Sequence, residues 1–140
     1  MARQGEAEWK GDLKGGSGRL KVGSGLFEGN YSFASRFENG NGTNPEEMVG
    51  AAHAACYSMA LANSLAQAGF PARSIHTKAE VHLGKDDVGF KISRIDLTVT
   101  GDVPGVAPAT FDDLVEKAKT GCIMSRALAA TPMTVTATLT

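Results

Sequence analysis

Cys56 and Cys122 are the only two cysteines in this chain of 140 residues, so any sulfur chemistry starts at one of them. A lone cysteine in an Ala-rich stretch is most often a small core residue. A nucleophile needs the thiolate. At a pKa of about 8.5 only about 3% of a thiol is ionised at pH 7, whereas a nearby cation that lowers the pKa to about 6 ionises about 90%. The question for Cys56 is therefore which cation reaches it. His53 lies three residues earlier and could form a Cys-His pair of the kind cysteine hydrolases use. The commoner role of such a histidine is a neutral, hydrogen-bonded core residue. Arg36 sits in the apolar context Tyr31-Ser32-Phe33-Ala34-Ser35-Arg36-Phe37. A single arginine usually faces water. A guanidinium nevertheless keeps its charge when buried, and its forked donors suit both a thiolate and a peroxide oxygen.

Glu46 and Glu47 open the helix that carries Cys56, and both favour its dipole. Glu47 also fits a capping box begun at Asn44. Glu46 is left free to pair with Arg36 and set the direction of the fork. That pairing creates a conflict. Glu46 and Cys56 are ten residues apart, about 15 Å along one helix. An arginine head bonded to Glu46 does not easily touch Cys56 of the same helix. The conflict disappears if Arg36 and Glu46 come from a second subunit, which predicts a site shared across a dimer interface. His76, Glu80 and His82 share one face of a strand. The ordinary meaning of such a polar face is solvent rather than metal, and no metal or cofactor is expected.

The bulk properties narrow the setting. Hydrophobic residues make up 42% and charged residues 21%, with a net charge of −1, as in an ordinary soluble globular protein. Nothing in that balance invites nucleic acid or a membrane surface. The length suits one domain, 1–140,. There is no apolar signal core near the start and no run long enough to span a bilayer. A cytoplasmic setting is expected, and there a cysteine pair is more often redox-active than a structural staple. The spacing does not show whether the two cysteines meet.

The elements that position these residues follow from periodicity and punctuation. Glu6 to Trp9 and Gly18 to Val22 read as strands around the turn Gly15-Gly16-Ser17, and Leu26 to Arg36 as an interrupted third strand,. Asn44 and Pro45 start a helix that Gly69 ends,. Its apolar residues cover most of its circumference, which predicts burial. Ile75 to Leu83 alternates, and the return strand changes phase near Ser93 and Arg94, which predicts a β-bulge,. Thr110 is expected to cap a second helix ended by Gly121, which leaves Cys122 in a loop. Ser125 to Ala130 reads as a short helix, and Met133 to Leu139 as a last strand. The order is that of an α+β fold.

Gly42-Thr43-Asn44-Pro45-Glu46-Glu47, followed by Ala51-Ala52-His53-Ala54-Ala55-Cys56, resembles the first motif of the OsmC/Ohr family. The order of elements and the position of Cys122 extend the resemblance over nearly the whole chain, and His53-Ala54-Ala55-Cys56 resembles the OsmC branch. The resemblance implies a thiol-dependent peroxidase acting on organic hydroperoxides and, less well, on hydrogen peroxide, in stress defence. It implies an intertwined α+β homodimer, with antiparallel sheets packed around a buried central helix and two sites at the interface. Cys56 matches the family's reactive cysteine, Cys122 its resolving cysteine, and Arg36 and Glu46 its arginine and glutamate. The reductant it implies is a dithiol such as a lipoylated protein. Ile123 stands where the family often has Pro, while Ser125 is kept. Met48, Phe33, Phe111 and Ile123 are expected to line an apolar pocket. Two alternatives stay open from the residues alone: a cysteine hydrolase using Cys56 and His53, and a non-catalytic thiol protein that binds a small apolar ligand.

Overall fold

The computed structural model describes residues 1–140, which form two compact units, Met1–Met48 and Val49–Thr140. In the first unit, β1 (Gly5–Lys10), β2 (Ser17–Val22) and β3 (Glu28–Tyr31) make an antiparallel sheet in that order. Gly18 pairs with both Trp9 and Tyr31. Its missing side chain lets those two rings come within 5.4 Å of each other, over space that a Cβ would fill.

The third strand stops well before Arg36. Residues Phe33–Phe37 form a short helix, α1, because Ser32 and Ser35 close a reciprocal capping box. Two side-chain–backbone hydrogen bonds that satisfy helix-end donors outweigh the strand-like run of aromatics. Arg36 therefore projects from a helical turn, and Ser35 Oγ ties that turn to the Thr43 carbonyl at 2.7 Å.

Helix α2 (Pro45–Gln67) begins as expected, with the Glu47 N–H donating to Asn44 Oδ1 at 2.8 Å. Glu47 itself accepts from Thr43 Oγ1 rather than reaching back to the cap. Gly69, with φ +90°, ends the helix in the left-handed region,. His53, Tyr57, Leu61 and Leu65 recur at i, i+4 spacing and are fully buried,. The opposite face is not covered in the single chain: Ala51, Ala52, Ala55 and Met59 are exposed. Burial all round, read from the apolar pattern, is thus half met by this chain.

In the second unit, β4 (Ser74–Lys85) and β5 (Phe90–Asp102) pair antiparallel. Their register shifts at His82/Leu83 and skips Ser93, which is the expected bulge. Helix α3 (Pro108–Gly121) starts earlier than Thr110, with Ala107 as N-cap and Pro108 in the first turn. Proline needs no amide partner there and presets φ for the helix. A tight turn leads straight into α4 (Ile123–Ala127), so this helix too starts before the expected Ser125. Strand β6 (Met133–Leu139) then adds beside β5 in parallel. The α+β architecture agrees with the sequence reading, and antiparallel pairing holds except at β6. The crossover through α3 and α4 returns the chain to the same end of the sheet, which permits only a parallel strand.

The core lies between α2, α3 and one sheet face: Tyr57, Leu61 and Leu65 pack with Ile95, Leu97, Val99, Phe111, Leu114 and Val115. Helix and strand come close where Gly50 faces the Ala79 carbonyl, since a Cβ there would sit 3.3 Å from that oxygen,.

Candidate active site

The two cysteines meet. Their sulfurs are 3.1 Å apart, and both are free thiols. A disulfide bond is about 2.05 Å long, so closure needs a travel of about 1 Å from the 3.1 Å of the reduced pair. Cys56 comes from the middle of α2 and is partly exposed, whereas Cys122 is 1% exposed. The expected loop position of Cys122 is corrected: it is the shared cap between α3 and α4, buried in the core. Packing of both flanking helices onto one core leaves no room for a free loop.

The electrostatics differ between the sulfurs. Burial, reinforced by the neighbouring Cys122, pushes the Cys56 thiol above the ordinary range, against the pull of the Met124 and Ile123 N–H groups. Cys122 is held below its ordinary range. Burial opposes ionisation there, but the main-chain N–H of Ser125, the Cys56 thiol, the Ser125 hydroxyl and the Met124 N–H together outweigh it. A close dithiol shares protons, so one sulfur ionises more readily and the other less. No guanidinium is among the groups that act on Cys56 within the single chain. Ile123, where the family resemblance suggests Pro, keeps a main-chain N–H directed at Cys56, and a proline would lack it.

Arg36 and Glu46 form the expected pair. Nη2 donates to Oε1 at 2.7 Å, and Nε to both carboxylate oxygens at 3.1 and 3.2 Å. Glu46 is 10% exposed and Arg36 38%, so the carboxylate is the fixed member and the guanidinium still opens outward. Phe37 backs the guanidinium at 5.2 Å from its ring centre, and Phe33 packs on Phe37 at 5.0 Å. Such a fork, gripped on one side, presents its charge in a set direction.

His53 does not pair with Cys56. Its Nε2 lies 2.8 Å from Ser125 Oγ, both residues are buried, and burial holds its pKa below the ordinary imidazole value. This is the neutral core histidine of the sequence reading, and it removes the base a cysteine hydrolase would need. Its partner Ser125 was not foreseen. The signal was present as matched spacings, His53-x-x-Cys56 and Cys122-x-x-Ser125, each spanning about one helical turn. Of the expected pocket residues, Phe111 is a buried core residue packed on Gly101. Ile123 is exposed, and Phe33 and Met48 are half-buried. Glu80 pairs with Lys78 and His82 with Asp96. No group of three His, Cys, Asp or Glu side chains is placed to hold a metal ion, and no helix is long and apolar enough to cross a membrane.

Known proteins resemble this chain in sequence and in fold. A family profile described as "OsmC-like protein" matches residues 38–138. Peroxiredoxin OsmC of Escherichia coli (strain K12) is 49% identical over 129 residues, which cover 91% of this chain and 90% of that protein. The organic hydroperoxide resistance protein OhrB of Bacillus subtilis superposes with a TM-score of 0.69 at 22% identity, over 98% of each chain. An OsmC-like protein of Vibrio cholerae superposes with a TM-score of 0.77 at 14% identity, over 99% of each chain.

Proposed function

The chain belongs to the OsmC-like protein family, and from that membership we propose that it reduces organic hydroperoxides, and hydrogen peroxide less well, through Cys56 and Cys122. It is an oxidoreductase of the peroxidase type. The observation that carries the finer reading is a pair of free sulfurs 3.1 Å apart, one reachable and one buried. The difference in exposure supports Cys56 as the attacking sulfur, because a hydroperoxide meets only the sulfur it can reach.

The Cys56 thiolate attacks the terminal oxygen of ROOH. An S–O bond forms, the O–O bond breaks, and the alkoxide leaves to be protonated as alcohol. Cys122 then attacks the sulfenic sulfur, and a disulfide replaces it before further oxidation. An external dithiol, such as a lipoylated protein, restores both thiols by exchange. No cofactor takes part.

Attack needs a thiolate, and in the single chain burial works against it. The exposed apolar surface beside Cys56, made of Ala51, Ala52, Ala55, Met59 and Ile123, is a face for a second copy of this chain. A homodimer built on it brings the partner's guanidinium, aimed by its own glutamate, to Cys56. There it stabilises the thiolate and the charge growing on the oxygens in a dry site. The 140 residues act as one domain of that dimer, in the cytoplasm, where the reducing poise keeps the thiols free.

The test mixes two inactive variants and follows cumene hydroperoxide and hydrogen peroxide with dihydrolipoamide as reductant. Cys56→Ser removes all turnover, and Arg36→Ala costs about 10²–10³-fold. Verified heterodimers of the two regain one working site. No recovery in the heterodimer, or full activity in Arg36→Ala, overturns the shared site.

A further inference from the structure

His53 and Ser125 are the polar groups closest to the sulfur chemistry that the reaction above leaves unused. They are 0% and 4% exposed and meet at 2.8 Å, Nε2 to Oγ. The other ring nitrogen, Nδ1, is buried with no hydrogen-bond partner. That orphan decides the tautomer. A proton on Nδ1 would be a buried donor without an acceptor, which proteins tolerate less than a lone pair without a donor. The ring proton therefore sits on Nε2 and is donated to Ser125 Oγ. An imidazolium is disfavoured for the same reason, since both nitrogens would have to donate. Ser125 has one O–H, and with its oxygen accepting from His53 that proton points to another partner. Ser125 is the third residue of α4, the helix that Cys122 caps. Cys122 and Ser125 stand one helical turn apart and are 1% and 4% exposed,, and the Ser125 hydroxyl and main-chain N–H both favour the Cys122 thiolate.

We propose that His53 and Ser125 are positioning residues for disulfide closure: the His53 Nε2–H turns the Ser125 hydroxyl so that its proton faces Cys122 and holds that sulfur ready to attack as an anion. The inference rests on the peroxidase reading, with Cys122 as the closing sulfur. In the step concerned, the Cys122 sulfur attacks the sulfenic sulfur of Cys56. The S–S bond forms and the S–O bond breaks. The proton released by Cys122 and the hydroxide released by Cys56 make one water. His53 gains and loses no proton; it sets the polarity of the hydrogen-bond chain N–H to O–H to S.

Two measurements on the full chain separate this role from the reaction itself. In the first, Cys56→Ser protein is titrated by the ultraviolet absorbance of the remaining thiolate, with no peroxide present. Besides Cys56, the titratable side chain that interacts with this sulfur is Tyr57, which burial keeps protonated well above the ordinary range and whose hydroxyl donates to the Val115 carbonyl. Adding Ser125→Ala or His53→Leu moves the Cys122 midpoint up by about one pH unit. His53→Gln, whose amide N–H can take the place of Nε2–H, leaves it near wild type. In the second, a stoichiometric pulse of cumene hydroperoxide is quenched at intervals, and the sulfenic acid and disulfide are counted by mass spectrometry. First-turnover peroxide loss is not slowed in either loss variant, since weakening the Cys122 anion leaves Cys56 the more ionised sulfur of the pair,, whereas closure slows about tenfold and sulfinic acid accumulates under excess peroxide. Should Ser125→Ala not fold, Ser125→Thr against its isostere Ser125→Val gives the same comparison. A midpoint and closure rate unmoved by loss of the hydroxyl, or His53→Gln behaving as His53→Leu, overturns the proposal. Failure of the wild type to consume peroxide would instead sink the peroxidase reading, and the titration would still decide this one.

Discussion

Met1–Met48 and Val49–Thr140 keep order by different means. Every buried hydrophobic side chain lies in the second unit, beginning at Tyr57. In the first, the buried side chains are polar, Ser35 and Glu46, while Leu13, Leu26 and Phe27 face outward. The second unit is held by a core in which α2 and α3 cover a sheet. The first is held by ladder hydrogen bonds, a ring pair across Gly18 and ion pairs such as Lys21–Glu6 at 3.3 Å. Exposed pairs of that kind contribute about 0–1 kcal/mol each, and a three-stranded sheet needs an apolar face packed on something to stand alone. The chemistry divides along the same line. The sulfurs sit in the unit with the core, and the guanidinium in the unit without one.

The contrast can be tested in order of effect. Leu61→Ala empties a fully buried position and is expected to cost about 2–5 kcal/mol, seen as a lower denaturant midpoint. The same truncation at Leu13, which is 62% exposed, is expected to stay within about 0.5 kcal/mol. Equal losses at the two sites would erase the distinction. Met59→Asp places a charge on the exposed α2 face beside Cys56. It should weaken the proposed dimer about a hundredfold, ~2.7 kcal/mol, read by sedimentation. Amide exchange in β1–β3 should rise with the monomer while β5 stays protected. Protection that survives in a monomeric β1–β3 would show that the first unit needs no partner.

The smallest effect is acid sensitivity in the second unit. Burial holds His53 below its unfolded pKa, so the unfolded chain binds more protons as the pH falls. The stabilisation is present above the unfolded imidazole value of about 6.5 and is lost below it, with a slope of at most about 1.4 kcal/mol per pH unit. His53→Gln should flatten that slope in urea titrations between neutral and mildly acidic pH. An unchanged slope would place the lost protons elsewhere.

Much of this is legible in the sequence itself. Asn44-Pro45 and Gly69 bound α2 because capping and left-handed backbone are local requirements,. The phase change near Ser93 is also local, since period-2 alternation records which face each residue takes,. Local rules mislead where two of them compete. Tyr31 to Phe37 carries strand-like aromatics, yet the Ser32–Ser35 box makes a helix of it. Thr110 is a good cap, yet Pro108 at the start of α3 sets the boundary earlier. The direction of β6 was not local at all, because it depends on which end of the sheet the crossover reaches.

The amino-acid order determined which atoms were available for chemistry: two thiols, a fork with its carboxylate, and a histidine one turn from Cys56. It also determined where α2, the helix carrying most of them, begins, since that choice depends on neighbours a few residues away. Tertiary structure alone decided that sulfurs 66 residues apart stand 3.1 Å from each other. It alone put His53 against Ser125, 72 residues on, at 2.8 Å. Such meetings are fixed by how helices seat on a common core, which periodicity along a single segment does not encode.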